Sequence, residues 1–319
     1  MLAGPKVSIV IPVYNGANFM RTAIDSALAQ TYRNLEILVI NDGSRDQGKT
    51  HAIAKSYGDR IRYFCKENGG VSSALNLGLT EMTGEYFAWL SHDDAFAENR
   101  IEEDVRLLER TPDARVTFCN IKVINEAGKI VAEPEYPIHV VKSPADALAL
   151  GGVDFCAMTV HRSCFDEVGF FNENSKTMQD VEMSLMLSRK FIFYNNGKAY
   201  VFKRRHAAMG TKTMRATHRS DGRRLMEFVH ENFSIDDIFP GAVDSEGMRL
   251  SEVWERMGDI YAFFHSFGYA NECYARAVAE SDVFFGRAGL KRLLGSRIVH
   301  ALRYLKQMAI PSVGAVRGR

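Results

Sequence analysis

The sequence predicts an α/β fold, a mixed, mostly parallel sheet flanked by helices, followed by an α-helical C-terminal region. Three observations carry this reading. Short apolar runs alternate with helical patterns through the first half of the chain, the arrangement that builds a parallel sheet with helices on its faces. The turn Asn125-Glu126-Ala127-Gly128 joins two neighbouring strand patterns as a hairpin, which makes the sheet mixed. After about residue 215 the strand signal disappears and helical periodicity takes over.

Taken in order, strands are predicted at 7–12, 35–40, 61–64 and 86–90, each a short run rich in β-branched and aromatic residues. Helices are predicted between them at 19–30, 50–57 and 71–82, with another at 100–110. The hairpin strands are 116–124 and 129–132, and residues 133–150, with Pro134, Pro137 and Pro144, read as an irregular crossing segment. Further on, Trp254, Met257, Gly258, Tyr261, Ala270, Tyr274 and Ala277 fall on the spacing of one tetratricopeptide-type helix pair, although Asp282 stands where its closing proline would be. One repeat cannot form a solenoid. The pair is therefore expected as a helical hairpin packed on the main domain, with a partner-binding or homodimer surface as the alternative. Beyond Asp282, Arg287, Lys291, Arg292, Arg297, Arg303, Lys306, Arg317 and Arg319 alternate with leucine, isoleucine and valine without an acidic residue. That is a basic amphipathic pattern, suited either to peripheral contact with an anionic membrane or to an ordinary solvated face.

Composition narrows the class. The 319 residues are 46% hydrophobic and 25% charged, which excludes a disordered or collagen-like chain. Forty Lys+Arg against 39 Asp+Glu give a formal charge of +1, so no global field recruits nucleic acid. No apolar run approaches the ~20 residues that span a bilayer, and the opening residues MLAGPK lack the apolar stretch of a secretory signal. A cytoplasmic protein is expected. The five cysteines are never spaced as CxxC and are expected as buried thiols of a reducing compartment, with no zinc or disulfide role.

One motif is refused. Residues 43–50 match GxxxxGK[ST] letter for letter between a strand and a helix. That cradle aims N–H groups at phosphate oxygens, and Asp46 would put a carboxylate inside it.

The chemistry is expected where the early strands end, since open α/β sheets bind ligands at the carboxyl ends of their strands. The first strand runs out in Pro12-Val13-Tyr14-Asn15, the second in Asn41-Asp42-Gly43-Ser44 and the fourth in Ser91-His92-Asp93-Asp94. A base can stack on Tyr14 while Asp42 accepts from a ring N–H, as uracil or thymine would supply. The adjacent carboxylates Asp93 and Asp94 call for a cation, and hard oxygen ligands at a phosphate site suit Mg²⁺ or Mn²⁺. Taken singly, Asp42 is equally a turn residue and the acid pair equally a helix start.

The joint order of these blocks resembles the family 2 glycosyltransferases, enzymes of GT-A, Rossmann-like fold that use nucleotide-diphospho-sugars. The resemblance rests on VSIVIPVYNGANFMRTAIDSALAQTY, EILVINDGSRDQGKT, ENGGVSSALNLGL, GEYFAWLSHDD and MQDVEMSLML, and covers about residues 5–207. It implies a GT-A catalytic domain, expected at 1–214 with the periodicity-defined helical region at 215–319 after it. It further implies that Tyr14 and Asp42 contact the donor base, with Pro12, Asn15 and Gly43 in the same loops. Asn68, Gly69 and Asn76 would face the nucleotide, and Asp93, Asp94 and His206 would hold the metal. Arg205, with Arg204, would offset charge on the leaving diphosphate, and Asp180 would be the general base of an inverting transfer. Two positions depart from the family pattern on the donor side, Ser91 for an acid and Leu75 for an arginine, and Gln179 replaces a glutamate beside Asp180. Thr177 and Asp180 also fit a capping box opening a helix to Lys190.

The function implied is transfer from a nucleotide-diphospho-sugar, UDP-sugar favoured, to a hydroxyl of a glycan or lipid-linked glycan in surface polysaccharide assembly at the inner membrane face. A catalytically inert sugar-nucleotide or carbohydrate-binding protein is the rival.

Overall fold

The computed structural model describes residues 4–241 and 248–280. They fall into two compact units that divide between His218 and Arg219.

The first unit is built on one sheet. Its strands are β1 (Val7–Val13), β2 (Leu35–Asp42), β3 (Arg62–Lys66), β4 (Tyr86–Trp89), β5 (Ala95–Phe96), β6 (Val116–Ile124), β7 (Ile130–Ala132), β8 (Val140–Val141), β9 (Met158–His161) and β10 (Phe193–Arg204). They run β3-β2-β1-β4-β9-β6-β10-β5, with β7 on β6 and β8 on β10. The β3–β2–β1–β4 block and the β6–β10 pair are parallel, while β9 runs antiparallel between β4 and β6. Every residue of β1 is buried, as a strand covered on both faces requires.

Helices α1 (Met20–Leu28), α2 (Lys49–Lys55), α3 (Val71–Glu81), α4 (Arg100–Arg110), α5 (Pro144–Ala149), α6 (Ser163–Val168) and α7 (Gln179–Ser188) connect the strands. In α4 the apolar face Ile101, Val105 and Leu108 is buried, while Arg106 pairs with Glu102 and Glu103 one turn away. At its start Arg100 and Asp104 are both wholly buried, 3.6 Å apart. Arg100 donates to the Met158 carbonyl at 2.8 Å and lies over the Phe96 ring. Asp104 accepts from Thr159 and Asn196. One buried pair thus ties α4 to β9 and β10, the strand whose far end reaches the site.

The 133–150 segment is more regular than expected. It holds β8 and α5, because the Ser143 side chain accepts from the Asp146 amide and Pro144 occupies the first helical position, where a missing N–H costs nothing. The thiols also need one correction: Cys65 is exposed, and the other four are buried.

After α8 (Gly210–Thr213), the chain enters α9 (Arg215–Asn232), α10 (Ile235–Ile238), α11 (Leu250–Phe263) and α12 (Phe267–Ala279). In the second unit, α11 and α12 form the expected hairpin. A Cβ on Gly258 would come within 2.4 Å of the Tyr274 ring, so glycine is what lets the helices approach, and Tyr274 then donates to Asp259 at 2.7 Å. The basic pattern beyond Asp282 lies outside the described residues. Among the described residues no helix is long and apolar enough to cross a membrane.

Candidate active site

The loops that follow β1 and β2 are bonded to each other, and the loop after β4 lies against the first, where a Cβ on Gly16 would come 2.8 Å from the His92 ring. Asn15 donates its amide to Ser44 at 2.9 Å and accepts from the Arg45 amide at 2.8 Å, which locks the first loop to the second. Its φ of 51° is a conformation that asparagine tolerates. Pro12 is buried within β1, and the Tyr14 ring stands 43% exposed at its end. Gly43 has φ 68°, and a Cβ there would come 2.7 Å from the Asn68 amide nitrogen; only glycine fits.

Asp42 is nearly sealed and heavily bonded. Its Oδ1 accepts from Lys66 Nζ and the Gly69 amide, both at 2.9 Å. Its Oδ2 accepts from the Gly70 amide at 2.8 Å and Asn68 Nδ2 at 3.1 Å. Asn68 and Gly69 therefore belong to the site through Asp42. Asn76 is placed differently: its amide donates to the Phe171 carbonyl and Glu173 and accepts from the Phe171 amide, bracing the 171–173 loop.

The acid pair splits. Asp93 accepts from His206 Nε2 at 2.9 Å, with its carboxylate partly open to solvent. Asp94 turns inward, where its Oδ1 accepts from the Arg204 amide at 2.8 Å. Burial first, and the neighbouring Asp93 second, raise the Asp94 carboxyl well above the usual carboxylate range. Asp93, Asp94 and His206 do not form the expected three-ligand set, and no such group occurs among the described residues. Asp93 and His206 still suit a divalent cation, since a carboxylate and an imidazole side by side leave its other positions to phosphate oxygens. Arg204 is buried, donates to the carbonyls of Asp93, Asn125 and Glu126 and covers Phe19, whereas Arg205 is exposed. The Phe19 ring also packs on His206, 5.0 Å between centroids.

Asp180 lies in the first turn of α7. The helix cap falls on Met178 with no side-chain cap bond, so the Thr177 capping box does not form; Asp180 instead accepts from the Val181 amide at 2.9 Å. A helix N-terminus lowers a carboxyl pKa. Here burial, and after it the charge of Asp154, win and raise it, with Lys203 opposing them. Lys203 and Asp154 form a close ion pair. Burial alone would raise Asp154, but the Lys203 ammonium holds it below the ordinary value. This pair lies 49 positions apart in the sequence, and neither local pattern nor motif signals it. Ser91, where an acid was expected, faces the buried Cys156 thiol at 3.1 Å.

The refused phosphate loop carries its own anion. Asp46 accepts from the Thr50 amide at 3.0 Å and from its hydroxyl at 2.6 Å, so the start of α2 is already neutralised by a carboxylate. Lys49→Ala is accordingly expected to change transfer activity by less than about twofold, as surface substitutions away from a site do. A loss of activity in that variant, measured by nucleotide release, would revive the loop.

The family model described as Glycosyl transferase family 2 matches residues 8–169. An uncharacterized glycosyltransferase of Rickettsia felis is 42% identical over 71% of this chain, though the match spans only 38% of that protein's length. Another, from Rickettsia typhi, is 41% identical over 87% of this chain and 85% of its own length. The crystal structure of S. aureus TarS 1–349 in complex with UDP-GlcNAc superposes with a TM-score of 0.59 at 16% identity, over 95% of this chain and 92% of that one. The match over β1 to α6, and a relative alike along most of both chains, show that this chain belongs to glycosyl transferase family 2, with a GT-A-like fold.

Proposed function

We propose that the chain transfers a sugar from a UDP-sugar, with inversion at the anomeric carbon, to a hydroxyl of a glycan or lipid-linked glycan acceptor. The observation that carries this reading is the placement of Asp180, a half-buried carboxylate at the start of α7. The charges of Asp154 and Lys203 act on it, and Lys203 lies near the end of β10, two residues after which His206 pairs with Asp93. In this reading the acceptor hydroxyl gives its proton to Asp180 as its oxygen attacks the anomeric carbon, and the bond from that carbon to the diphosphate breaks on the opposite side. Tyr14 stacks on the base and Asp42 accepts its N–H. Asp93 and His206 would hold Mn²⁺ or Mg²⁺, which would supply positive charge to the departing diphosphate, with Arg205 exposed nearby in sequence.

Support for the donor comes from TarS, whose structure contains UDP-GlcNAc. Support for a polysaccharide product comes from the hyaluronan synthase of Pasteurella multocida, 30% identical over 58% of this chain and 19% of that protein. Surface polysaccharide assembly at the inner face of the membrane, with the α11–α12 hairpin as a partner or dimer surface, fits the same reading.

The test is nucleotide release from a panel of UDP-sugars with Mn²⁺ or with EDTA. Release that requires the metal is expected, and His206→Ala should raise the Mn²⁺ concentration for half-maximal rate by at least about tenfold. Release indifferent to EDTA would remove the metal from the scheme. No release from any UDP-sugar would remove the donor.

A further inference from the structure

Resting on the donor reading above, we propose that Lys66 selects the nucleobase, by yielding a single acceptor position on Asp42 to a base N–H and then donating to the carbonyl beside it. A carboxylate offers about four lone-pair positions, and four donors already surround Asp42. Three of them are fixed. The Gly69 and Gly70 donors are main-chain amides, and Asn68 Nδ2 is held additionally by the Asp42 carbonyl at 2.9 Å. The fourth, Lys66 Nζ, ends a flexible stem and can leave without moving the backbone. The Lys66 side chain keeps 23% of its exposure against 4% for Asp42, so the ammonium covers the outer side of the carboxylate, where a ligand arrives.

Its departure frees one position, on Oδ1, and room for one N–H. Among the described residues the ammonium otherwise donates only to the Glu67 carbonyl, at 2.6 Å. It is then free to meet whatever flanks that N–H, accepting a carbonyl and refusing an amine. Uracil and thymine present one imide N–H between two carbonyls. Guanine presents an N–H and an amino group side by side, which asks for two acceptor positions where one exists. Cytosine and adenine bring a ring nitrogen lone pair against the carboxylate, and the mismatch is repulsive.

The test is calorimetric titration of the full chain with UDP, dTDP, GDP, CDP and ADP, in the wild type and in Lys66→Met and Lys66→Arg. Wild type is expected to bind UDP and dTDP at least about tenfold more tightly than the other three, a charge-assisted bond being at stake. Lys66→Met should lose most of that preference by weakening the uracil-type ligands alone, and Lys66→Arg should restore part of it. Unchanged melting temperatures would show that each variant is folded. A preference that survives in Lys66→Met, or an equal loss for all five nucleotides, would overturn the role of Lys66 and leave the donor reading standing. If wild type binds none of them, the donor reading falls and this one with it.

Discussion

Asp180→Asn is expected to lower the rate of sugar transfer by about a thousandfold, the range for losing a positioned general base, while UDP binding stays within about twofold. Asparagine keeps the shape and the hydrogen bond to the Val181 amide but cannot take the acceptor's proton. The pH profile supplies the second readout. A base acts only when deprotonated, and burial and Asp154 push the Asp180 carboxyl above its ordinary value. The wild-type rate should therefore fall on acidification at a higher pH than an exposed aspartate would give, and the residual rate of the variant should lack that limb. Transfer that survives in Asp180→Asn would return Asp180 to a structural role.

Asp104→Ala is expected to destabilise the first unit by about 3–5 kcal/mol, the usual consequence of leaving one member of a buried ion pair alone. Arg100 is wholly buried, and without Asp104 it keeps the Met158 carbonyl and the Phe96 ring but no opposite charge in contact. Thr159 and Asn196 lose their acceptor in the same step. At this size a melting point lower by roughly 10 °C follows, and thermal unfolding followed by circular dichroism measures it. A change under about 1 kcal/mol would mean that water reaches the pair.

Both variants show where local pattern is informative and where it stops. The strands β1, β2 and β4 and the helix α4 are legible because each has one dominant period and clear turn residues at its ends. β9 is only four residues long and carries no period of its own. β10, where no strand is expected from the sequence, runs through Asn195-Asn196-Gly197 with a bulge in its pairing with β6, since long-range pairing overrides the turn preference of such residues. Ser143-Pro144 reads as a breaker and acts as a helix start.

The site divides along the same line. Tyr14, Asn15, Asp42, Gly43, Asp93 and Asp94 are visible as strand-end loops, since topology brings such ends together. What each side chain does there depends on partners far away in the chain. Asp94 turns to Arg204, Asn76 to Phe171, Asp42 to Lys66 and Asp154 to Lys203, and no spacing announces these pairs.

The most direct measurement is a crystal structure of the chain with UDP and Mn²⁺. The account predicts the uracil ring against Tyr14 with its imide N–H on Asp42, the metal between Asp93, His206 and the diphosphate, and Asp180 facing the outer phosphate across the space for a sugar. Nucleotide bound on another surface, or cradled by residues 43–50 with Asp42 and Asp93 untouched, would contradict it.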